Sequence, residues 1–90
     1  MPRRRRRRIR GNFRHLCFKP CAQVNTLLDN VTLTKDELEA IRLADLKGLY
    51  HEESANEMDI SRPTFGRILN SARQKIADAL INGKTIEISD

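Results

Sequence analysis

The stretch from Tyr50 to Leu80, YHEESANEMDISRPTFGRILNSARQKIADAL, constrains the fold of this chain more than any other. It reads as two helices joined by a tight bend. Ala55 falls where the helices would cross, and a small side chain there allows close approach. Asp59-Ile60-Ser61 breaks the first helix, plugs the corner with an apolar residue and caps the second helix. A serine hydroxyl at that place accepts from a free N–H of the first turn. Pro63 lies in the same turn, where a missing N–H costs little. Phe65, Ile68, Leu69, Ala72, Ile76 and Leu80 then recur at helical spacing, which predicts one apolar face on a helix from about 62 to 81. Arg62, Thr64, Arg67, Asn70, Ser71 and Arg73 are left for its other faces. A short helix, a three-residue turn and a longer helix with a polar, basic leading end make a helix-turn-helix, whose second helix ordinarily lies in a DNA major groove.

Charge is distributed to suit that reading. The chain has 90 residues and a net charge of +5, but residues 1–10 alone carry seven arginines and no acid. Residues 34–59 have a net charge of −5 and residues 60–80 a net charge of +3. Positive charge is thus concentrated on an N-terminal arm and on the second helix of the pair, a polarity suited to docking on nucleic acid one way round.

The pattern divides the chain into four segments. Residues 1–14 cannot bury apolar surface and are expected to be a disordered arginine-rich arm. Within it Arg3, Arg4, Arg5, Arg6, Arg7 and Arg8 are candidate minor-groove or phosphate contacts; a nonspecific electrostatic anchor and a solvated tail are the alternatives. Residues 15–33 form a loop or extended segment, extended at Val31-Thr32-Leu33. Residues 34–83 form the helical unit. Its first helix opens on the capping box Thr34-Lys35-Asp36-Glu37, is lined by Leu38, Ile41 and Leu46 with Leu43 close by, and ends at Lys47-Gly48. Its acidic outer face suits a supporting role. The second helix covers about 51 to 58. Residues 84–90 contain Thr85-Ile86-Glu87-Ile88, a short strand expected to pair with Val31–Leu33 of the same chain or of a second copy. Gly66 costs up to ~1 kcal/mol relative to alanine inside a helix; it is either tolerated there or allows the helix backbone to approach a duplex closely.

His15, Cys17 and Cys21 are the only clustered soft ligands. Zinc sites ordinarily use four ligands in two separated pairs, and there is no second pair, so two ordinary thiols are expected and neither metal nor cofactor. No serine, cysteine or carboxylate constellation and no glycine-rich phosphate loop supports an enzyme. No run is long and apolar enough for a membrane span, no secretory signal opens the chain, and a reducing cytoplasm is the expected location.

The chain also resembles a small uncharacterised family of bacterial and archaeal proteins predicted to bind DNA. The resemblance lies in the basic start Met1-Pro2-Arg3, in Phe18-Lys19-Pro20, in LTKDELEAIRLADLKGLYHEESANEMDISRPTFGRILNSARQKIADALINGK from Leu33 to Lys84, and in the closing strand-like tail. Its helix pair is similar to the promoter-reading fourth region of bacterial sigma factors, whose long helix runs on into a stretch like Ala72-Arg73-Gln74-Lys75. The resemblance implies a DNA-binding role for that helix.

The expected fold is therefore mainly all-α: a three-helix, sigma region-four-like helix-turn-helix domain with a flexible basic arm and a short C-terminal strand. The expected function is sequence-specific binding of double-stranded DNA by a small transcriptional regulator acting as a homodimer. Ser61, Arg62, Thr64 and Arg67 are placed at base edges, with Asn70 and Ser71 beside them, and Arg73 and Lys75 at phosphates. A protein-interaction module, for instance one contacting RNA polymerase, and an arginine-rich RNA binder are the alternatives.

Overall fold

In a computed structural model of the chain, the described residues are 7–11, 16–21 and 29–89. Strand β1 is Cys17–Phe18 and β2 is Asn30–Thr34. Helix α1, Lys35–Ile41, runs directly into a π-helical segment, Arg42–Leu46. Helices α2, His51–Met58, and α3, Arg62–Asn82, come next, and strand β3, Thr85–Ser89, closes the order.

The molecule is mainly helical, but its sheet is larger than the single C-terminal strand expected. Three strands lie in the order β1-β3-β2. β3 runs parallel to β2, with Val31 opposite Ile86 and Leu33 opposite Ile88, and antiparallel to β1, with Cys17 opposite Glu87. The partner expected for the C-terminal strand is thus found within the same chain. Adjacent parallel strands require a long crossover, and here the whole three-helix unit is that crossover. Strand β1 has no sequence signal of its own because two residues are too few to show an alternation.

Two apolar clusters share α3. Ala40, Leu43, Ala55, Met58, Phe65 and Leu69 pack where the three helices meet. Leu33, Ala72 and Ile88 join α3 to the sheet, and Ile41 packs against both clusters. Two expected core positions fall outside. Leu46 is 79% exposed. The π turn bonds Lys47 N–H to Arg42 C=O at 2.9 Å, and its extra residue rotates the end of the helix away from the Leu38–Ile41 face. Leu80 is 72% exposed, and Ala79 is buried in its place. At 100° per residue, position 80 has drifted roughly 60° from Phe65, whereas position 79 lies roughly 40° to the other side.

Glu37 and Glu39 depart furthest from the expected acidic outer face, because both are buried. Glu37 closes the capping box by accepting from Thr34 N–H at 2.9 Å, and it also accepts from Lys75 Nζ at 3.0 Å and Ser71 Oγ at 2.7 Å. It thereby ties α1 to α3. Glu39 accepts from Arg42 Nε at 2.8 Å and from its terminal nitrogen at 2.7 Å. It also accepts from the N–H groups of Arg10, at 3.0 Å, and Gly11, at 3.2 Å. Residues 7–11, expected to belong to a disordered arm, therefore lie against α1 and α2; the rest of that arm lies outside the described residues. Burial alone would push both carboxyls up, but these hydrogen bonds outweigh it and hold both below the usual glutamate range.

Both the sheet junction and the buried carboxylates can be tested by unfolding. Ile88 is 1% exposed at the sheet–α3 junction, so Ile88→Ala is expected to cost about 2–5 kcal/mol, read as a lower urea midpoint with an unchanged slope. Because Glu37 has a lowered folded-state pKa, the stability it contributes is complete above the unfolded-state value near 4.5 and is lost as pH falls through the lower folded-state value. Glu37→Gln is expected to be less stable than the parent at neutral pH and to lose less stability on acidification below about pH 4.5, as measured by urea titration across that range.

Candidate nucleic-acid interface

The bend between α2 and α3 is made by backbone chemistry that its residues allow. Asp59 takes the left-handed conformation, φ 60° and ψ 44°, which aspartate tolerates better than most side chains. Its N–H donates to Asn56 C=O at 3.1 Å, and Ile60 N–H donates to Ala55 C=O at 3.0 Å. These two bonds satisfy the last carbonyls of α2 as a Schellman motif. Ile60 folds onto the helical cluster, as an apolar corner plug should. Ala55 is buried beneath the bend, and the His51 ring meets Phe65 edge-on at a centroid distance of 5.4 Å.

Ser61 then caps α3. Its Oγ accepts from Thr64 N–H at 3.3 Å and donates to Thr64 Oγ1 at 2.9 Å. The two hydroxyls expected at base edges are thus engaged with each other at the helix start. Pro63 occupies the first turn. The leading half of α3 exposes Arg62, Pro63, Arg67 and Asn70. Pro63, Arg67, Asn70 and Gln74 recur at spacings of four, three and four, one stripe along the helix. Among the described residues, no hydrogen bond or ion pair engages the guanidinium of Arg62 or Arg67.

Further along α3 the expected contact residues turn to other tasks. Ser71 and Lys75 face α1 and serve Glu37, and Lys75 Nζ also reaches Thr32 C=O at 3.1 Å. Arg73 is exposed but grips Asp45 with two nitrogens, at 2.6 and 3.2 Å. That hydrogen bonding to Asp45 keeps its pKa above the usual arginine value. The reason is local: the acids of α1 and the π turn lie within reach of the middle of α3, whereas its leading turn projects past them. Candidate contacts on α3 thereby divide into Arg62, Arg67 and Asn70, which face outward unengaged, and Ser71, Arg73 and Lys75, which are bonded to the body.

On the arm, Arg7 pairs with Asp36 at 3.3 Å, and Arg8 is exposed with its N–H donating to Met58 C=O at 3.0 Å. Arg3, Arg4, Arg5 and Arg6 lie outside the described residues, as does His15. Cys17 and Cys21 are free and exposed. Sequence reasoning missed Glu39. Its spacing of three from Arg42 was a visible pairing signal, but nothing local announces that the arm supplies the other two donors.

No helix among the described residues is long and apolar enough to cross a membrane. No solved structure matches the chain. A family model described as a protein of unknown function, DUF134, matches residues 1–90. A UPF0251 protein of Thermoanaerobacter sp. (strain X514) is 62% identical over 71 residues, covering 79% of this chain and 63% of that protein. A UPF0251 protein of Chlorobaculum tepidum is 57% identical over 70 residues, covering 78% and 46% respectively. One from Prosthecochloris aestuarii is 50% identical over 82 residues, covering 91% and 53%. The chain thus spans roughly half to three-fifths of the length of these relatives. With its whole length matched by the family model and these identities to UPF0251 proteins, the chain belongs to the DUF134 family.

Proposed function

We propose that this protein binds double-stranded DNA with sequence selectivity, laying the leading half of α3 in the major groove as a helix-turn-helix of the sigma region-four kind, and that it acts as a transcriptional regulator. One observation carries the reading. Arg62 and Arg67 stand exposed and unengaged just past a tight bend, while Arg42, Arg73, Lys75 and Lys84 in the same body are all ion-paired. An arginine held free at the start of a helix can take the O6/N7 edge of guanine with two donors, a contact worth about 1–3 kcal/mol of discrimination. A homodimer reading paired half-sites about one helical turn apart belongs to the proposal. The alternative of an acidic face recruiting a basic protein loses Glu37 and Glu39 from the available surface, since both are buried.

The test is selection of bound duplexes from a random pool at two salt concentrations. Arg67→Ala is expected to change the base preferred at one or more positions of the selected site. Lys75→Ala, which removes a partner of Glu37, is expected to lower the melting temperature and leave the preference intact. If Arg67→Ala instead weakens all duplexes alike, the groove-reading assignment is wrong.

Gly66 gives a second measurement. Among the described residues, nothing lies within 4 Å of where a Cβ at Gly66 would stand, so none of them requires glycine there. Gly66→Ala is therefore expected to raise stability by up to ~1 kcal/mol. If the helix backbone approaches the duplex closely at this turn, the same substitution weakens DNA binding. A variant that is more stable yet binds less tightly, by melting and by fluorescence anisotropy, supports that docking; unchanged affinity excludes close approach at Gly66.

A further inference from the structure

We propose that Glu39 is a positioning residue: it hitches the basic N-terminal segment to the helical body so that Arg8 is held at the end of α2 beside the bend and engages the phosphate backbone of the duplex that α3 reads. This rests on the DNA-binding reading above.

Glu39 is fully buried, and Arg42 supplies two of its four donors. The other two are the N–H groups of Arg10 and Gly11, 29 and 28 residues away in sequence. A desolvated carboxylate is stable only when its remaining lone pairs meet donors, so the site needs a passing backbone as much as it needs Arg42. Because the donors are main-chain groups, anchorage leaves the arm's side chains available. From Gly11 back to Arg7 the chain passes from Glu39 towards Asp36, which Arg7 meets at 3.3 Å, while Arg10 reaches Glu57 at 3.5 Å. Arg8 N–H meets the carbonyl of Met58, one residue before the left-handed turn at Asp59. Among the described residues, the Arg8 guanidinium has no partner and is exposed.

The consequence is a matter of tether length. With the anchor in place, Arg8 is only two to three residues from the points fixed by Glu39, Arg10 and Gly11. Without it, the segment keeps its own Arg8 bond to Met58 and two part-exposed ion pairs of little strength, Arg7–Asp36 and Arg10–Glu57, and among the described residues the next backbone bond to the body is Ile88 N–H to Leu16 C=O, eight residues beyond Arg8. Effective concentration falls roughly as the −3/2 power of tether length, so release of the anchor is expected to weaken binding on the order of five-fold.

The experiment uses full-length chains. Glu39→Gln weakens the anchor from the body. Gly11→Pro removes one donor from the arm and leaves the Glu39–Arg42 pair intact, which guards against a variant that simply unfolds. Each is made in the parent and in a chain with Arg3, Arg4, Arg5, Arg6 and Arg8 replaced by Gln, Arg7 being kept for Asp36. Amide exchange in the free protein and affinity for a selected duplex are measured. The expected result is protection of the Arg10 and Gly11 amides in the parent, weakened Arg10 protection in both variants, and an affinity loss on the order of five-fold in the parent background that vanishes in the glutamine-arm background. Unprotected amides in the parent would overturn the anchor. Equal losses in the two backgrounds would show that Glu39 and Gly11 act through the body's stability and not through the arm. If no chain binds duplex DNA, the reading of α3 fails and the arm's role on DNA fails with it, while amide exchange still decides whether the anchor exists.

Discussion

Burial of two carboxylates on one short helix is the constraint on which the rest of the arrangement depends. Glu37 and Glu39 lie two residues apart on α1, so they face different neighbours. Each would cost several kcal/mol to desolvate unaided. Each is therefore surrounded by donors, and those donors come from separate parts of the chain. Glu37 draws on the β2–α1 junction through Thr34 and on α3 through Ser71 and Lys75. Glu39 draws on Arg42 at the start of the π turn and on the backbone at residues 10 and 11. Apolar packing holds α1 against α3, but hydrocarbon faces tolerate small slides. A carboxylate with three or four fixed donors does not, and the register of α1 against α3 is set accordingly.

The same pairing explains why so much of the basic charge is unavailable to an outside partner. Asp45 takes Arg73, Glu37 takes Lys75, Asp78 takes Lys84, and Glu39 takes Arg42. The exposed pairs add little stability, yet they neutralise the middle and trailing end of α3 as seen from outside. Among the described residues, the exposed bases left without a partner are Arg8, Lys19, Lys47, Arg62 and Arg67, and on α3 only the last two, in its leading turns. A helix whose net charge is spread along its whole length in sequence thus acts, in three dimensions, as one charged at its first two turns.

The parts readable from sequence were those set by local chemistry. Thr34 and Glu37 formed the expected capping box, Ser61 the expected N-cap, and Gly83 the left-handed end of α3. The bend at residues 59–61 and the Phe65–Ile76 face were legible for the same reason: each depends on side chains within a turn or two of one another. The features that could not be read depended on distance along the chain. The partners of Glu39 lie 28 and 29 residues away. Pairing of the C-terminal strand with Val31–Leu33 was expected, but its parallel direction and register join residues more than fifty apart and are fixed only when the intervening helices have packed. The π turn at Arg42–Leu46 lay between these extremes. Its sequence differs little from an ordinary helix end, so Leu46 was placed inward by a periodicity that the chain itself interrupts. On the candidate interface, Arg62 and Arg67 could be picked out because they sit beside a recognisable cap. Ser71, Arg73 and Lys75 looked equivalent to them until the acids of α1 and the π turn were brought alongside.

A domain this small asks one helix to serve as both core and contact surface. Phe65, Leu69 and Ala72 on α3 are fully buried, and Arg67 and Asn70 lie between them in sequence on the opposite side. Any shift of α3 that repacks the first set displaces the second by the same amount. The sheet opposes that shift from the far end: β3 begins after a two-residue connection from α3, with Lys84 N–H donating to Ala79 C=O at 2.9 Å and its ammonium paired to Asp78. The Ser61–Thr64 cap and the Asp59 turn oppose it from the near end. With both ends tied and the middle bonded to Glu37, α3 has little freedom to rotate or slide, and the backbone at Arg62 and Arg67 is held in place. Ordering of the backbone then adds little to the cost of any docking at this end of α3, and the cost that remains is the rotamer entropy of the two unengaged arginines.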